Sequence, residues 1–300
     1  MKLTIFSAPK PFRDPHIITI QRNAIQSWRL LGPEANVLLI GDEEGMAKTA
    51  AQLGVQHLPH VKTNEQGTPL VSNIFELARQ HSDSALLCYV NADIVLLPGL
   101  VEQALNVLRQ QPEFLLVGQR WDLDVTAALD FAPGWPRKLL DEARQRGRRH
   151  PPAGSDYFVF PRHLYSEVPD FAIGRAGWDN WMIYHAAQQP WPCIDGTPDI
   201  DIIHQNHDYR HLPGGQPHYR QPETLVNTAL GGGARNMYLV LDSDRELRSG
   251  QVRRPRFTLL RMLRKVERVL WPPDDRPGVR LALARRVRRL RRRIGKDAAE

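Results

Sequence analysis

Short apolar runs alternate with longer amphipathic stretches through the first 120 residues of the chain. Residues 2–7 (KLTIFS) read as a strand, and Pro9, Pro11 and Pro15 mark the loop after it. Ile17, Ile20, Ala24, Ile25, Trp28 and Leu31 recur at helical spacing, and Gly32-Pro33 ends that helix. A second strand over 36–40 (NVLLI) runs into Gly41-Asp42. A helix over 46–53 closes at Gly54, and 55–58 is a third strand. The stretch 69–80 holds a helix with Leu70, Ile74, Leu77 and Ala78 on one side. Residues 88–98 (CYVNADIVLLP) read as one strand with polar residues in its middle. A helix over 99–109 and a strand over 114–117 follow.

Strands alternating with helices predict an α/β domain with a mostly parallel sheet. Near-continuous apolar strands agree, because such sheets are covered on both faces. Their ligands bind beyond the carboxyl ends of the strands, and Asp42, Asn91 and Asp93 fall at such ends. The first strand is not followed by G-x-G-x-x-G, and G-x-x-x-x-G-K-[ST] does not occur. A dinucleotide or P-loop site therefore lacks its signature. Residues 118–150 are less regular, and 136–150 predict an exposed basic helix or a mobile loop. Order returns at 154–161 (GSDYFVFP), an aromatic-rich strand. Residues 174–188 are glycines followed by a helix, and 200–203 form a short strand leading into His204.

Charge divides the chain. Residues 251–300 carry 17 Lys and Arg against 5 Asp and Glu, while residues 1–250 carry 23 against 28. The expected organisation is a mildly acidic body over 1–245 and a strongly basic tail over 251–300. In the tail, Leu259, Leu263, Val266 and Leu270 share one helical stripe. Val279, Leu283, Val287, Leu290 and Ile294 share another, with Trp271-Pro272-Pro273 between them. A basic amphipathic helix of this kind fits an anionic membrane surface or nucleic-acid phosphates. Alternatively, the first helix packs on the body and the second is a solvated end. The mildly acidic body confines any nucleic-acid contact to the tail, so nucleic acid is not the expected partner. Cys88 and Cys193 sit in apolar surroundings, which predicts buried thiols and no disulfide framework. The first residues hold too short an apolar core for a signal peptide. No apolar run approaches the ~20 residues of a membrane span. The expected location is the cytoplasm.

An unpaired carboxylate is costly among apolar neighbours, so Asp93 needs a partner. Four segments carry polar groups of this kind. They are Asn91-Ala92-Asp93, the stretch 171–181 (FAIGRAGWDNW) with Asp179, the stretch 199–209 (DIDIIHQNHDY) with His204 and its rival His207, and Gly154-Ser155-Asp156. Structural roles compete in each: a turn at Asp93, an N-cap at Asp179, core packing for Trp178 and Trp181, a solvated histidine, and an Asx-turn at Asp156.

Asn91-Ala92-Asp93 at a strand end resembles the Asp-x-Asp motif of nucleotide-sugar glycosyltransferases of the GT-A fold, family 2-like members included. Gly177-Trp178-Asp179-Asn180 resembles the segment that follows that motif in inverting members. The resemblance covers residues 1–240. It implies a single Rossmann-like domain with a mostly parallel central sheet, to which this chain adds its basic helical tail. It further implies Mn²⁺ or Mg²⁺ held by Asp93 and His204 on the donor diphosphate, and Asp179 as general base in an inverting transfer. Asn91 departs from the motif's first Asp, and so is assigned to a ribose hydroxyl rather than the metal. Asp42, Thr68 and Asn73 are assigned to the nucleoside, and Asp156, Trp178 and Asn180 to sugar or acceptor. The implied partners are a nucleotide-diphosphate sugar and a glycan or lipid-linked acceptor. An anionic membrane surface joins them through 275–300, which would make the protein peripheral at the inner face of the membrane. A nucleotidyltransferase is a competing reading. Its triphosphate loop would be SAPKPFRDP (7–15), with Lys10 and Arg13 but no glycine. A nucleic-acid-binding protein working through the arginine tail is another. A glycosidase with paired carboxylates is a third, and nothing in the sequence fixes its carboxyl separation.

Overall fold

A computed structural model describes residues 2–207 and 221–297. The first half runs β1 (Leu3–Ser7), α1 (Pro15–Arg29), β2 (Ala35–Ile40), α2 (Met46–Leu53), β3 (Gln56–Leu58), α3 (Val71–Gln80), β4 (Leu86–Val90), β5 (Ile94–Leu96) and α4 (Gly99–Gln110). Next come β6 (Leu115–Val117), β7 (Trp121–Leu123), α5 (Trp135–Arg146), β8 (Arg148–Arg149), β9 (Tyr157–Pro161), α6 (Trp178–Ala186), β10 (Cys193–Asp195) and β11 (Ile202–Gln205). The chain closes with α7 (Pro222–Leu230), β12 (Arg245–Arg248), β13 (Gln251–Arg253), α8 (Leu259–Leu270) and α9 (Val279–Asp297).

Among the described residues, nine strands form one sheet in the order β13-β12-β10-β6-β9-β4-β1-β2-β3. The block β4-β1-β2-β3 is parallel throughout, as its apolar strands predict. β9 runs antiparallel to both β4 and β6. One apolar layer joins Trp28 and Ile25 of α1 with α2, α4 and one sheet face; the other joins Phe75 of α3 with α6 and the opposite face. A second sheet, β5-β11-β7-β8, stands beside the first. This is the mixed α/β architecture expected from the sequence, with a large and mostly parallel sheet.

The stretch 88–98 is not one strand. It splits into β4 in the main sheet and β5 in the second, with a turn at 91–93 closed by the Ile94 amide on the Asn91 carbonyl (3.1 Å). Both flanks are fully buried, so the apolar pattern carries no sign of the break. Residues 136–150, expected as an exposed basic helix or a mobile loop, are α5 from its second residue onward, followed by β8.

In the tail, α8 docks with its charged side inward. Arg261 donates to the Leu241 and Ser243 carbonyls (2.9 and 3.0 Å) and to Asp195 (2.7 Å). Arg264 donates to Asp242 (2.8 Å) and to the Met237 carbonyl (2.7 Å). Glu267 has no exposed surface and accepts from Arg264 (2.8 Å) and, across the α8–α9 contact, from Arg288 (2.7 Å) and Arg291 (2.9 Å). Removing one member of such a cluster leaves buried like charges unpaired, which costs roughly 3–5 kcal/mol. Glu267→Ala should therefore lower the melting temperature in calorimetry by several degrees. An unchanged transition would mean that the carboxylate holds nothing. Among the described residues, no helix is long and apolar enough to cross a membrane.

Candidate active site

A cleft of about 970 Å³ opens at the ligand edge of the main sheet, near the top of the roughly 300–1,000 Å³ range of small-molecule sites. Its walls come from the loop after β1, the ends of β4 and β6, the start of β9, β11 and the start of α6.

Asp93 sits in the β4–β5 turn with its main chain bolted from inside. Fully buried Gln205 donates its amide (3.2 Å) and its Nε2 (3.1 Å) to the Asp93 carbonyl, while Asn23 of α1 donates to Gln205 Oε1 (2.9 Å). The Asp93 carboxylate lies 3.0 Å from His207 Nε2 and 3.3 Å from Lys10 Nζ, both at Oδ2. Lys10 Nζ is also 3.1 Å from His207 Nε2. Burial acts to raise the Asp93 pKa. The Lys10 charge, the His207 bond and the nearby His204 outweigh it and hold the carboxyl well below the usual range. Asp93, His204 and His207 each offer a ligand atom, and these atoms lie within 4.8 Å of one another. His204 turns Nδ1 toward Asn206 Oδ1 (3.3 Å) and Asp122 Oδ1 (3.4 Å).

Because β9 is antiparallel to β4, its first residues meet the last ones of β4. Asn91 Nδ2 thus donates to Asp156 Oδ1 (2.9 Å), and Tyr89 Oη donates to Asn91 Oδ1 (3.0 Å). Both ends of the Asn91 amide are engaged within the protein. Asp156 takes Arg120 Nη1 on both oxygens (2.7 and 2.6 Å), and Arg120 Nε reaches Asp122 Oδ1 (2.8 Å). His150 Nδ1 pairs with Asp122 Oδ2 (2.7 Å). Burial raises the Asp122 pKa, but bonds from His150 and His204 and the Arg120 charge drive it far down.

Across the cleft, Gly177 (φ +114°) takes the N-cap position of α6, a backbone region that favours glycine. Asp179 therefore falls in the first helical turn rather than at the cap. Its Oδ1 accepts from the Gly177 amide (3.2 Å). Burial pushes its pKa up to about 6; the Asn180 and Gly177 amides pull it down, and the Asp156 charge adds to the rise. Trp178 is core, edge-on to Tyr89 (4.8 Å between ring centres) and tilted on Phe158 (5.4 Å), with only an edge on the cleft. Trp181 packs on Phe171 (5.4 Å).

Of the residues expected at the site, Asn91, Asp93, His204, Asp156, Asp179, Trp178 and Thr68 line this cleft. Three stand off it. Gly41 (φ +125°) turns the chain so that Asp42 is exposed, while Gly41 and Glu43 take the wall. Asn73 is buried in α3, accepting from the Lys62 amide (2.8 Å) and donating to Glu76 (2.9 Å). Asn180 donates to the Tyr238 carbonyl (2.7 Å) and ties α6 to the segment before residue 240. His207, the rival of His204, stands beside it rather than replacing it. Arg120, Asp122 and His150 were not selected, and Lys10 was named only for the competing triphosphate loop. The strand-end rule that picked out Asp42 also points to Arg120 and Asp122, which follow the apolar run 114–117.

No family model and no curated protein matches this chain. Its fold is similar to several solved structures at low overlap. For TarS of S. aureus in complex with UDP-GlcNAc, the TM-score is 0.32 and the identity 12%, over 41% of this chain and 35% of that one. For mannosyltransferase PcManGT from Pyrobaculum calidifontis, in complex with GDP-Man and Mn²⁺, they are 0.44 and 11%, over 70% and 58%. For glucosyl-3-phosphoglycerate synthase from Mycobacterium tuberculosis, in complex with Mg²⁺ and uridine-diphosphate, they are 0.44 and 13%, over 78% and 77%. The chain spans less than two thirds of the length of the first two. Overlaps of this size leave the chemistry to be read from the chain's own side chains.

Proposed function

We infer that the protein is a glycosyltransferase that moves a sugar from a nucleotide-diphosphate donor to an acceptor hydroxyl with inversion. The observation that carries this reading is one cleft, at the carboxyl ends of a mostly parallel sheet, lined by the Asp93–His204–His207 donor set and by Asp179. One carboxylate and two imidazoles suit Mn²⁺ better than Mg²⁺, which prefers oxygen ligands throughout. Asp93, His204 and His207 would hold the ion, which when bound supplies positive charge to offset that growing on the departing diphosphate. Asp122, facing His204 Nδ1, orients that ring and leaves Nε2 to ligate. Asp179, with a carboxyl pushed up to about 6, is ionised above that pH and basic enough to take the acceptor hydroxyl's proton. Arg120 fixes Asp156 and Asp122 in place.

In this reading residues 1–245 carry the chemistry. The buried free thiols Cys88 and Cys193 fit a reducing compartment; a cytoplasmic location and a glycan or lipid-linked acceptor are parts of the same proposal. One observation favours a second reading. Lys10 already meets Asp93 at 3.3 Å, which suits a transferase that neutralises the diphosphate with lysine in place of a metal. A thermal-shift screen with UDP-, GDP-, dTDP- and CMP-sugars, with and without Mn²⁺, tests both. A donor at 100 times its Kd stabilises by about 2.7 kcal/mol. A shift that needs Mn²⁺ supports the first reading, and one indifferent to it supports the second. No shift with any donor sinks both.

A further inference from the structure

Eight of the twelve large apolar side chains exposed on the described residues lie between Phe257 and Leu290. Leu259, Met262, Val266 and Val269 form one stripe on α8, spaced at i, i+3, i+7 and i+10. Val279, Leu283 and Leu290 form another on α9. An amphipathic helix on a folded body normally turns such a stripe inward. Here the inward side is the charged one, with Arg261, Arg264 and Glu267 buried.

Helix geometry gives the direction of the two stripes. At ~100° per residue, the α8 stripe lies roughly 150° from Arg261 and Arg264, which face the body. The α9 stripe lies roughly 110° from Ala284 and Arg291, which are buried toward α8. The helices are antiparallel: Leu260 lies beside Gly295 at one end, and Arg280 donates to the Val269 carbonyl at the other. Measured from Leu260 and Glu267, which face α9, the α8 stripe is turned by roughly 130° in the same rotational sense as the α9 stripe is from its own seam. In antiparallel helices equal senses put both stripes on one side of the hairpin, opposite the body-facing arginines. Exposed Arg286 and Arg293 border the α9 stripe.

We propose that this outward face of the α8–α9 hairpin docks the protein on an anionic lipid bilayer, lying in the interface rather than crossing it. The occupant follows from the composition of the face. Apolar side chains want an apolar phase, and guanidinium groups at their margin want anionic headgroups; an acidic bilayer surface offers both at the right depth. A nucleic acid would pair the arginines and leave the stripe in water. The contact includes α8, and so is not confined to 275–300. It does not depend on the glycosyl-transfer reading.

The test is co-sedimentation of the full-length protein with phosphatidylcholine vesicles with and without phosphatidylglycerol. Binding should require phosphatidylglycerol and weaken as salt rises. The combined Met262→Glu, Val266→Glu and Val269→Glu variant should lose about 10-fold or more in vesicle partition at an unchanged melting temperature. If that variant melts early, Phe257→Glu with Val279→Glu replaces it, since both side chains are among the most exposed. Arg286→Ser with Arg293→Ser should weaken binding to the anionic vesicles alone. A protein that stays in the supernatant with anionic vesicles overturns the proposal. So does binding that the glutamate variants leave intact, since that is adsorption by arginine alone. The proposal also falls if the glutamates instead dissolve a dimer, or abolish RNA or acidic-protein binding, in a chain that ignores vesicles.

Discussion

Asp179→Asn is expected to lower sugar transfer by about 10²–10⁴-fold while leaving donor affinity unchanged. The acceptor hydroxyl loses its proton acceptor, and the diphosphate end of the cleft is untouched. The pH dependence sharpens the test. With a carboxyl pushed up to about 6, the wild-type rate should fall about tenfold per pH unit below 6 and be flat above it. The variant should lack that limb. Stability moves the opposite way. A raised carboxyl pKa means the fold favours the neutral form, so wild-type stability is lost as pH rises through about 6. The Asn variant, neutral throughout, should then melt above the wild type at pH 7 and level with it at pH 4. Normal transfer by Asp179→Asn removes this residue from the mechanism.

Asp93→Ala should abolish the Mn²⁺-dependent part of donor stabilisation, about 2.7 kcal/mol at 100 times the donor Kd. The side chain is the one carboxylate of the donor set, and two imidazoles without it make a poor site for Mn²⁺. Titration calorimetry with Mn²⁺ and donor, separately and together, reads the loss. Lys10→Ala discriminates. If a metal meets the diphosphate, removing the ammonium 3.3 Å from Asp93 should preserve Mn²⁺ binding. If lysine does, Lys10→Ala should lose donor binding in metal-free buffer, while Asp93→Ala retains it.

The order of elements was legible because short apolar runs and amphipathic stretches alternate cleanly from β1 to β6. The split at 91–93 was not, because burial on both sides of the turn makes two strands look like one. Asp179 and His204 were reachable because each opens or follows a predicted element, and Asp93 because a carboxylate between two apolar runs needs a partner. The partners of these residues were not. Arg120 reaches Asp156 across 36 residues and Lys10 reaches Asp93 across 83. Such pairings are set by where β9 inserts and how the β1–α1 loop folds back, neither of which leaves a local pattern. The α8 stripe was visible only in part: spacing picks out Leu259, Leu263, Val266 and Leu270, whereas the outward stripe is Leu259, Met262, Val266 and Val269, because periodicity gives no sign of which side faces the protein. That depends on Asp195, Asp242 and the carbonyls near 240, acceptors that only the folded body brings together.

Those acceptors bear on how the chain divides. Composition separates an acidic body from an arginine-rich end, and suggests a place to cut. Asp195 and Asp242 are buried carboxyls whose pKa values burial already pushes up, and Arg261 and Arg264 are their counter-charges. A chain ending near residue 255 would strip both acids of their counter-charges and of the helix that packs over them, whereas one ending after 270 would keep both pairs. The electrostatic seam of the protein thus runs along α8 and not along the compositional one. A shortened version made at the obvious boundary is a damaged body.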